Sequence, residues 1–291
     1  MGETLFDSHT HFPLPDRTPA GESPEAASSA RDAAGTGHTT DTILRNAREA
    51  GLCGLLAVGG DADANEAAIH AARLAPGFAR LAIGLCPDEA DAIDSPTELA
   101  RRIDVLRSTI DALENEGIRT AAIGEIGLDF YHRDTPELRA RQIALFAAQL
   151  DLATERNLPC SIHSRAADAE TVQTLRRHLS RELTRDNRAG SLHCFVGDAD
   201  FAQALLPLGF CFGISGILTF RNADPLRKTI AGLPPERLLL ETDSPYLAPV
   251  PMRGKQNEPG FLPYTAKCLE SLFPACKIAA RTTETALRLF S

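Results

Sequence analysis

The sequence predicts an α/β fold, a (β/α)8 or TIM barrel, and three observations lead there. Eight short apolar runs, at 4–9, 53–58, 79–85, 120–126, 159–163, 190–194, 209–214 and 238–243, have the length and composition of strands. The segments between them carry helical spacing, so strand and helix alternate along the chain. Eight such units in 291 residues suit one closed barrel, expected as a single domain over 1–291; an open doubly wound sheet often has fewer strands.

The helical segments justify themselves locally. Leu99, Ile103, Leu106, Ile110 and Leu113 form an apolar stripe in steps of four and three, and Ile143, Phe146 and Leu150 form another. Ser95-Pro96 and Thr135-Pro136 read as helix starts, a capping hydroxyl followed by proline in the first turn. Gly51, Gly117 and Gly209 fall where helices would stop. Residues 13–39 break the rhythm, being rich in Pro, Ala, Gly, Ser and charge with Leu14 as the only large aliphatic. A flexible insertion is expected there, with a mobile lid over the mouth as the alternative.

Bulk composition excludes several classes. Hydrophobic residues make up 43% and charged residues 24%, as in ordinary globular proteins. No apolar run reaches the roughly 18–20 residues of a membrane span, and Met1-Gly2-Glu3-Thr4 lacks the basic start of a secretory signal. Seven cysteines without a CxxC pair read as reduced thiols. A net charge of −9 argues against broad electrostatic wrapping of nucleic acid. A site that gathers cations would supply positive potential locally.

The polar residues on the strands carry the chemistry. In an extended strand His9 and His11 share a face. Glu125 is read at the end of strand four, His163 at the end of strand five, His193 at the end of strand six and Asp243 at the end of strand eight. A lone buried His is more often a hydrogen-bonded core residue, and a lone carboxylate after an apolar run more often a helix cap. Six such groups at one relative position on five strands are hard to obtain by accident, because strand ends converge on a single mouth. Four imidazoles and two carboxylates exceed what one tetrahedral ion needs and suit two bridged ions, with Glu125 as the natural bridge. Mixed N and O donors favour Zn, Mn, Fe or Co over Ca.

At these residues the chain resembles the TatD family of metal-dependent deoxyribonucleases, within the amidohydrolase-like barrels. The resemblance rests on Asp7-Ser-His-Thr-His11, AIGEIGLDFY (122–131), LPCSIHSR (158–165), LHCFVG (192–197), GISGILTFRNA (213–223) and LLLETDSPYLAPVPMRGKQNEPG (238–260). It implies that His9, His11, Glu125 and Asp243 hold one divalent ion and that Glu125, His163 and His193 hold a second, the ions being Zn, Mn or Mg. It also implies a cytoplasmic enzyme that hydrolyses DNA phosphodiesters from the 3′ end, with no membrane and no obligate protein partner. Glu125 and Asp243 are the expected catalytic carboxylates, Asp243 taking a proton from water as a base. Arg165, Arg253 and Lys255 are candidate phosphate clamps, and Glu241 is a candidate for orienting a ligand or for pairing with an interior cation.

The chain departs from the family pattern in four places. Phe12-Pro13 follows the first HxH where an acid is usual, and Cys86-Pro87 stands where the family has His-Pro. Ala166 replaces an acid after His-Ser-Arg, with Asp168 displaced, and Thr283-Glu284-Thr285-Ala286 stands near an expected Asn. Two further readings stay open at this level. One is a hydrolase of amides or esters such as aminoacyl esters, and the other is a metal-containing binding protein with weak catalysis.

Overall fold

Eight parallel strands lie side by side in chain order in the computed structural model, which describes residues 4–15, 38–131, 134–185 and 187–291. They are β1 (Leu5–Thr10), β2 (Leu52–Gly60), β3 (Ala79–Leu85), β4 (Thr120–Asp129), β5 (Cys160–Arg165), β6 (Gly190–Leu192), β7 (Phe210–Ile214) and β8 (Leu238–Leu240). The sheet closes through the stretch after β8. Thr10 bridges Ser244 in parallel, the Asp243 N–H donates to the His9 carbonyl at 2.9 Å, and the His11 N–H donates to Ser244 at 2.9 Å. This is the (β/α)8 barrel the alternation predicts.

Helices α1 (Thr40–Glu49), α2 (Ala62–Leu74), α3 (Pro96–Asn115) and α4 (Pro136–Arg156) follow the first four strands. Then come α5 (Asp168–His178), α6 (Arg181–Arg185), α7 (Ala199–Leu205), α8 (Asp224–Ala231), α9 (Leu262–Leu272) and α10 (Ile278–Leu289). The expected caps are present: the Ser95 hydroxyl accepts from the Glu98 N–H at 3.2 Å, and the Thr135 hydroxyl from the Leu138 N–H at 3.3 Å. The α3 stripe faces the core, with Ile103, Leu106, Ile110 and Leu113 buried. Ile110 is fully buried in the large cluster joining helices to the sheet, where truncation to Ala removes roughly 2–5 kcal/mol. A second cluster packs Phe6, Leu56, Val58 and Leu239 against Leu289 and Phe290 at the end of α10.

Several expected boundaries shift: β2 and β5 each run two residues further, to Gly60 and Arg165, so His163 lies inside β5 rather than at its end, and three other shifts bear on the site. β4 runs four residues past Glu125, to Asp129. The reason is a register change: Ile123 and Ile126 face Cys160 and Ile162, so three residues of β4 oppose two of β5. Pairing then resumes as Gly127 with His163, Leu128 with Ser164 and Asp129 with Arg165. Gly127, at φ +139°, permits this approach, since a Cβ there would lie 2.0 Å from the His163 carbonyl oxygen. β6 and β8 instead stop early, at Leu192 and Leu240, so His193 and Asp243 lie just beyond their strands. Cys194 and Asp243 adopt left-handed backbone at φ +45° and +55°, which turns the chain out of the ladder.

Of the expected insertion at 13–39, residues 16–37 lie outside the described residues. No helix among the described residues is long and apolar enough to cross a membrane. All seven cysteines are free thiols, as expected.

Candidate metal centre

The mouth is assembled from strand ends that the closure brings together. Glu125 sits at its middle with one oxygen aimed each way. Its Oε1 lies 3.1 Å from His163 Nδ1 and 3.0 Å from His193 Nε2. Its Oε2 lies 3.5 Å from His11 Nε2 and 3.8 Å from His9 Nε2. Within each pair the nitrogens nearly touch, at 3.1 Å for His9 Nε2 and His11 Nε2 and 3.2 Å for His163 Nδ1 and His193 Nε2. Asp243 Oδ1 completes the group, 3.8 Å from His11 Nε2. Three overlapping triads have all their donor atoms within 4.8 Å: His9–His11–Glu125, His9–His193–Asp243 and Glu125–His163–His193.

This donor set fits divalent cations. Two nitrogens about 2.1 Å from one ion stand roughly 3.0–3.4 Å apart at octahedral or tetrahedral angles, close to the spacing within each pair. The opposite ring nitrogens of His9, His11 and His163 are engaged elsewhere. His11 Nδ1 donates to the Val58 carbonyl at 3.0 Å, which leaves Nε2 as the lone-pair atom. His163 Nε2 donates to Asp129 Oδ2 at 3.2 Å, which turns Nδ1 toward Glu125. His9 Nδ1 lies 2.9 Å from the Ser161 hydroxyl. Such outer partners fix ring orientation and raise ligand basicity.

The protonation preferences follow from burial and charge. Burial would raise the Glu125 carboxyl, but the His193 and His163 imidazoles outweigh it and hold the group well below the usual range. Burial and the neighbouring imidazoles keep His9 well below its ordinary value. For His163 burial opposes the charge, yet hydrogen bonds to Asp129 and Glu125 push it up to about 10. Burial raises Asp243.

Two acids behind the cluster hold it in shape. Asp7, fully buried, accepts from the Thr242 N–H at 2.9 Å, the Thr242 hydroxyl at 2.6 Å and the His9 N–H at 3.2 Å, so one carboxylate ties β1 to the stretch carrying Asp243. Burial pushes it up to about 7 despite those bonds. Glu241 accepts from the Cys194 N–H, and its Oε1 stands 4.0 Å from His193 Nδ1. Its Oε2 has no partner among the described residues, and burial pushes the group up to about 8. Glu241 thus faces the imidazole of His193, a candidate ligand, rather than an interior cation. Gly213 makes the room, since a Cβ there would meet Glu241 Oε2 at 2.0 Å.

All six expected donors converge. Glu125 does so from within β4 rather than from its end. Sequence reasoning missed Asp129, Ser161 and Asp7 as supports. Ser161 was readable, standing two residues before His163 on the same strand. Asp129 was not, because ending the strand near Glu125 turns it into a loop residue. The three expected clamps lie outside the cluster. Arg165 is exposed at the end of β5, its guanidinium 3.9 Å above the Tyr131 ring. Arg253 lies 4.1 Å over Phe220, and Lys255 is exposed in the same loop. Cys86 joins none of the donor triads among the described residues, and burial with the nearby Glu125 pushes its thiol up to about 12. It is an uncharged small side chain there.

Fold and site together define the class: a parallel (β/α)8 barrel with a candidate metal cluster at the C-terminal mouth of its strands. The chain belongs to the TatD related DNase family, whose profile matches residues 6–291. An uncharacterized metal-dependent hydrolase YcfH of Escherichia coli K12 is 42% identical over 177 residues, 60% of this chain and 63% of that protein, so the alignment spans less than two thirds of that relative. A 3′-5′ ssDNA/RNA exonuclease TatD of Edwardsiella piscicida is 37% identical, covering 77% of this chain and 82% of that protein. Among solved structures, the TatD homolog YJJV from Escherichia coli superposes with a TM-score of 0.74 at 28% identity, covering 98% and 97% of the two chains.

Proposed function

We propose that this protein is a metal-dependent hydrolase that removes nucleotides from the 3′ end of single-stranded DNA. The observation that carries the reading is the Glu125 carboxylate, which gives one oxygen to each of two imidazole pairs. His9, His11, Glu125 and Asp243 would hold one divalent ion, and Glu125, His163 and His193 a second, with Zn, Mn or Mg as the candidates. Bound there, the ions would supply charge compensation for a phosphodiester and acidity to a water. The exonuclease named among the relatives supports the choice of substrate.

The remaining steps belong to the chain. Asp243, at the rim of the cluster, accepts the proton of the attacking water at a carboxylate oxygen. The new bond joins that water oxygen to phosphorus, and the bond from phosphorus to the upstream 3′ oxygen breaks. The proton passes to that leaving oxygen, so the products are a 5′-mononucleotide and a shortened strand with a 3′-hydroxyl. Glu125 and the four imidazoles stay in place through the turnover. Arg165 and Arg253 hold the phosphates of the remaining strand by charge-assisted hydrogen bonds.

The test is direct. Purified protein with Mn or Mg should shorten a 5′-labelled single strand stepwise, and His163→Ala should abolish it while circular dichroism stays unchanged. Turnover of esters or amides with no DNA cleavage under any divalent ion would replace this reading, as would bound metal without turnover of either substrate class.

A further inference from the structure

A cleft of about 390 Å³ opens on the β1–β2–β3 side of the cluster, with His11 and Glu125 in its wall. That volume suits a small-molecule subsite. One wall is the Tyr246 side chain, 63% exposed, with Leu14 also exposed on the lining. The Tyr246 backbone is fixed, since its N–H donates to the Asp243 carbonyl at 2.9 Å and its carbonyl accepts from Asn257 Nδ2 at 2.6 Å. An exposed ring on a pinned backbone is a ready surface for a stacked base. The uncharged Cys86 thiol lines the cleft next to Glu125, where a larger side chain would narrow it.

The rim carries the second observation. Asp61, which caps α2 by accepting from the Ala64 N–H at 2.7 Å, and Asp63 in its first turn line the cleft, and no Lys or Arg does so among the described residues. Across Glu125, the β5 side ends in Arg165. The exposed cation of the mouth therefore stands away from the cleft, at the end of β5 and in register with Asp129, while the cleft beside β2 carries two carboxylates. A polyanionic strand runs toward Arg165, and beside two carboxylates an uncharged group is held better than a phosphate.

We infer that this cleft takes the terminal nucleoside of the strand, its base stacked on Tyr246 and its free 3′-hydroxyl toward Asp61 and Asp63, so that a terminal 3′-phosphate is rejected. This rests on the hydrolytic reading above and adds the orientation of the strand and the kind of end accepted. A carboxylate accepts a hydrogen bond from a hydroxyl and repels a phosphate dianion.

Two measurements test it. The first follows trimming of one 5′-labelled single strand ending in either 3′-hydroxyl or 3′-phosphate. The phosphorylated end should be removed at least about tenfold more slowly. An Asp61→Asn/Asp63→Asn double variant, in which Asn still caps α2, should bring the two rates within about threefold. Tyr246→Ala should raise KM about tenfold with kcat little changed, and Tyr246→Phe should restore it. The second measurement needs no turnover: calorimetric binding of thymidine 5′-monophosphate against thymidine 3′,5′-bisphosphate, with the bisphosphate expected to bind at least about tenfold more weakly. Equal trimming of both ends, or equal affinity for both nucleotides, would overturn the inference. If neither end is trimmed while the monophosphate preference persists and vanishes in the double variant, the cleft assignment stands and the hydrolytic reading falls.

Discussion

His9 and His11 come from β1 and lean on neutral partners, the Ser161 hydroxyl and the Val58 carbonyl, whereas His163 and His193 come from β5 and the turn after β6 and face the carboxylates of Asp129 and Glu241. The rings are chemically identical and share one bridging carboxylate. Their surroundings drive them apart: burial holds His9 well below its ordinary value, while Asp129 and Glu125 hold His163 at about 10. A neutral partner fixes a ring's orientation and leaves it uncharged. An anionic partner fixes the orientation and also makes the ring a stronger base, so its ligand nitrogen is a better donor. The second flank therefore depends more on its supporting residue than the first.

That asymmetry can be broken or sharpened by substitution. Glu125→Ala removes the group common to both flanks and should give the largest effect, loss of metal from both and a fall of about a thousandfold or more in kcat/KM, read by metal analysis and kinetics. Next comes the outer shell. Asp129→Ala should weaken metal affinity about 10–100-fold, and Ser161→Ala by only a few fold. Equal losses by calorimetric metal titration would mean that the two flanks do not differ as described. Outside both flanks, Ile110→Ala should cost roughly 2–5 kcal/mol in denaturant unfolding with unchanged metal content per folded molecule, separating core stability from the site.

The smallest effect concerns the outer surface. Arg101 and Arg102 hold the half-buried Glu98 carboxyl down at about 2 from an ordinary 4.5. A depressed carboxylate contributes stability above its ordinary value and loses it as pH falls toward the folded one. The melting temperature of the wild type should therefore drop slightly more steeply than that of Glu98→Gln between pH 4.5 and 2. Identical slopes would show that these surface pairs contribute nothing to stability.

Much of the site was legible along the chain because barrels place chemistry where strands end. His9, His11, His193 and Asp243 stand near or just beyond such ends, His163 lies two residues before the end of β5, and strand closure needs no further information to gather them. Glu125 was legible as a donor but not as a mid-strand one. The register change that lengthens β4 comes from Gly127 meeting β5, a pairing between distant segments that no local pattern records. The same blindness hid Asp129, which reaches His163 only once that longer strand has formed. The expected clamps show the converse: Arg165, Arg253 and Lys255 were marked by charge type, and charge type alone does not say where a long side chain rests.

By itself the sequence determined the alternation of strand and helix, the capped starts of α3 and α4, and the identity of the donor atoms, because periodicity, capping and ligand chemistry are local properties of residues. Only the tertiary structure decided which oxygen of Glu125 faces which imidazole pair, that Asp7 ties Thr242 to β1, and that Asp61 and Asp63 come to line a cleft next to Glu125. Those facts depend on where separate strands lie against one another, which packing and register set after the chain has closed.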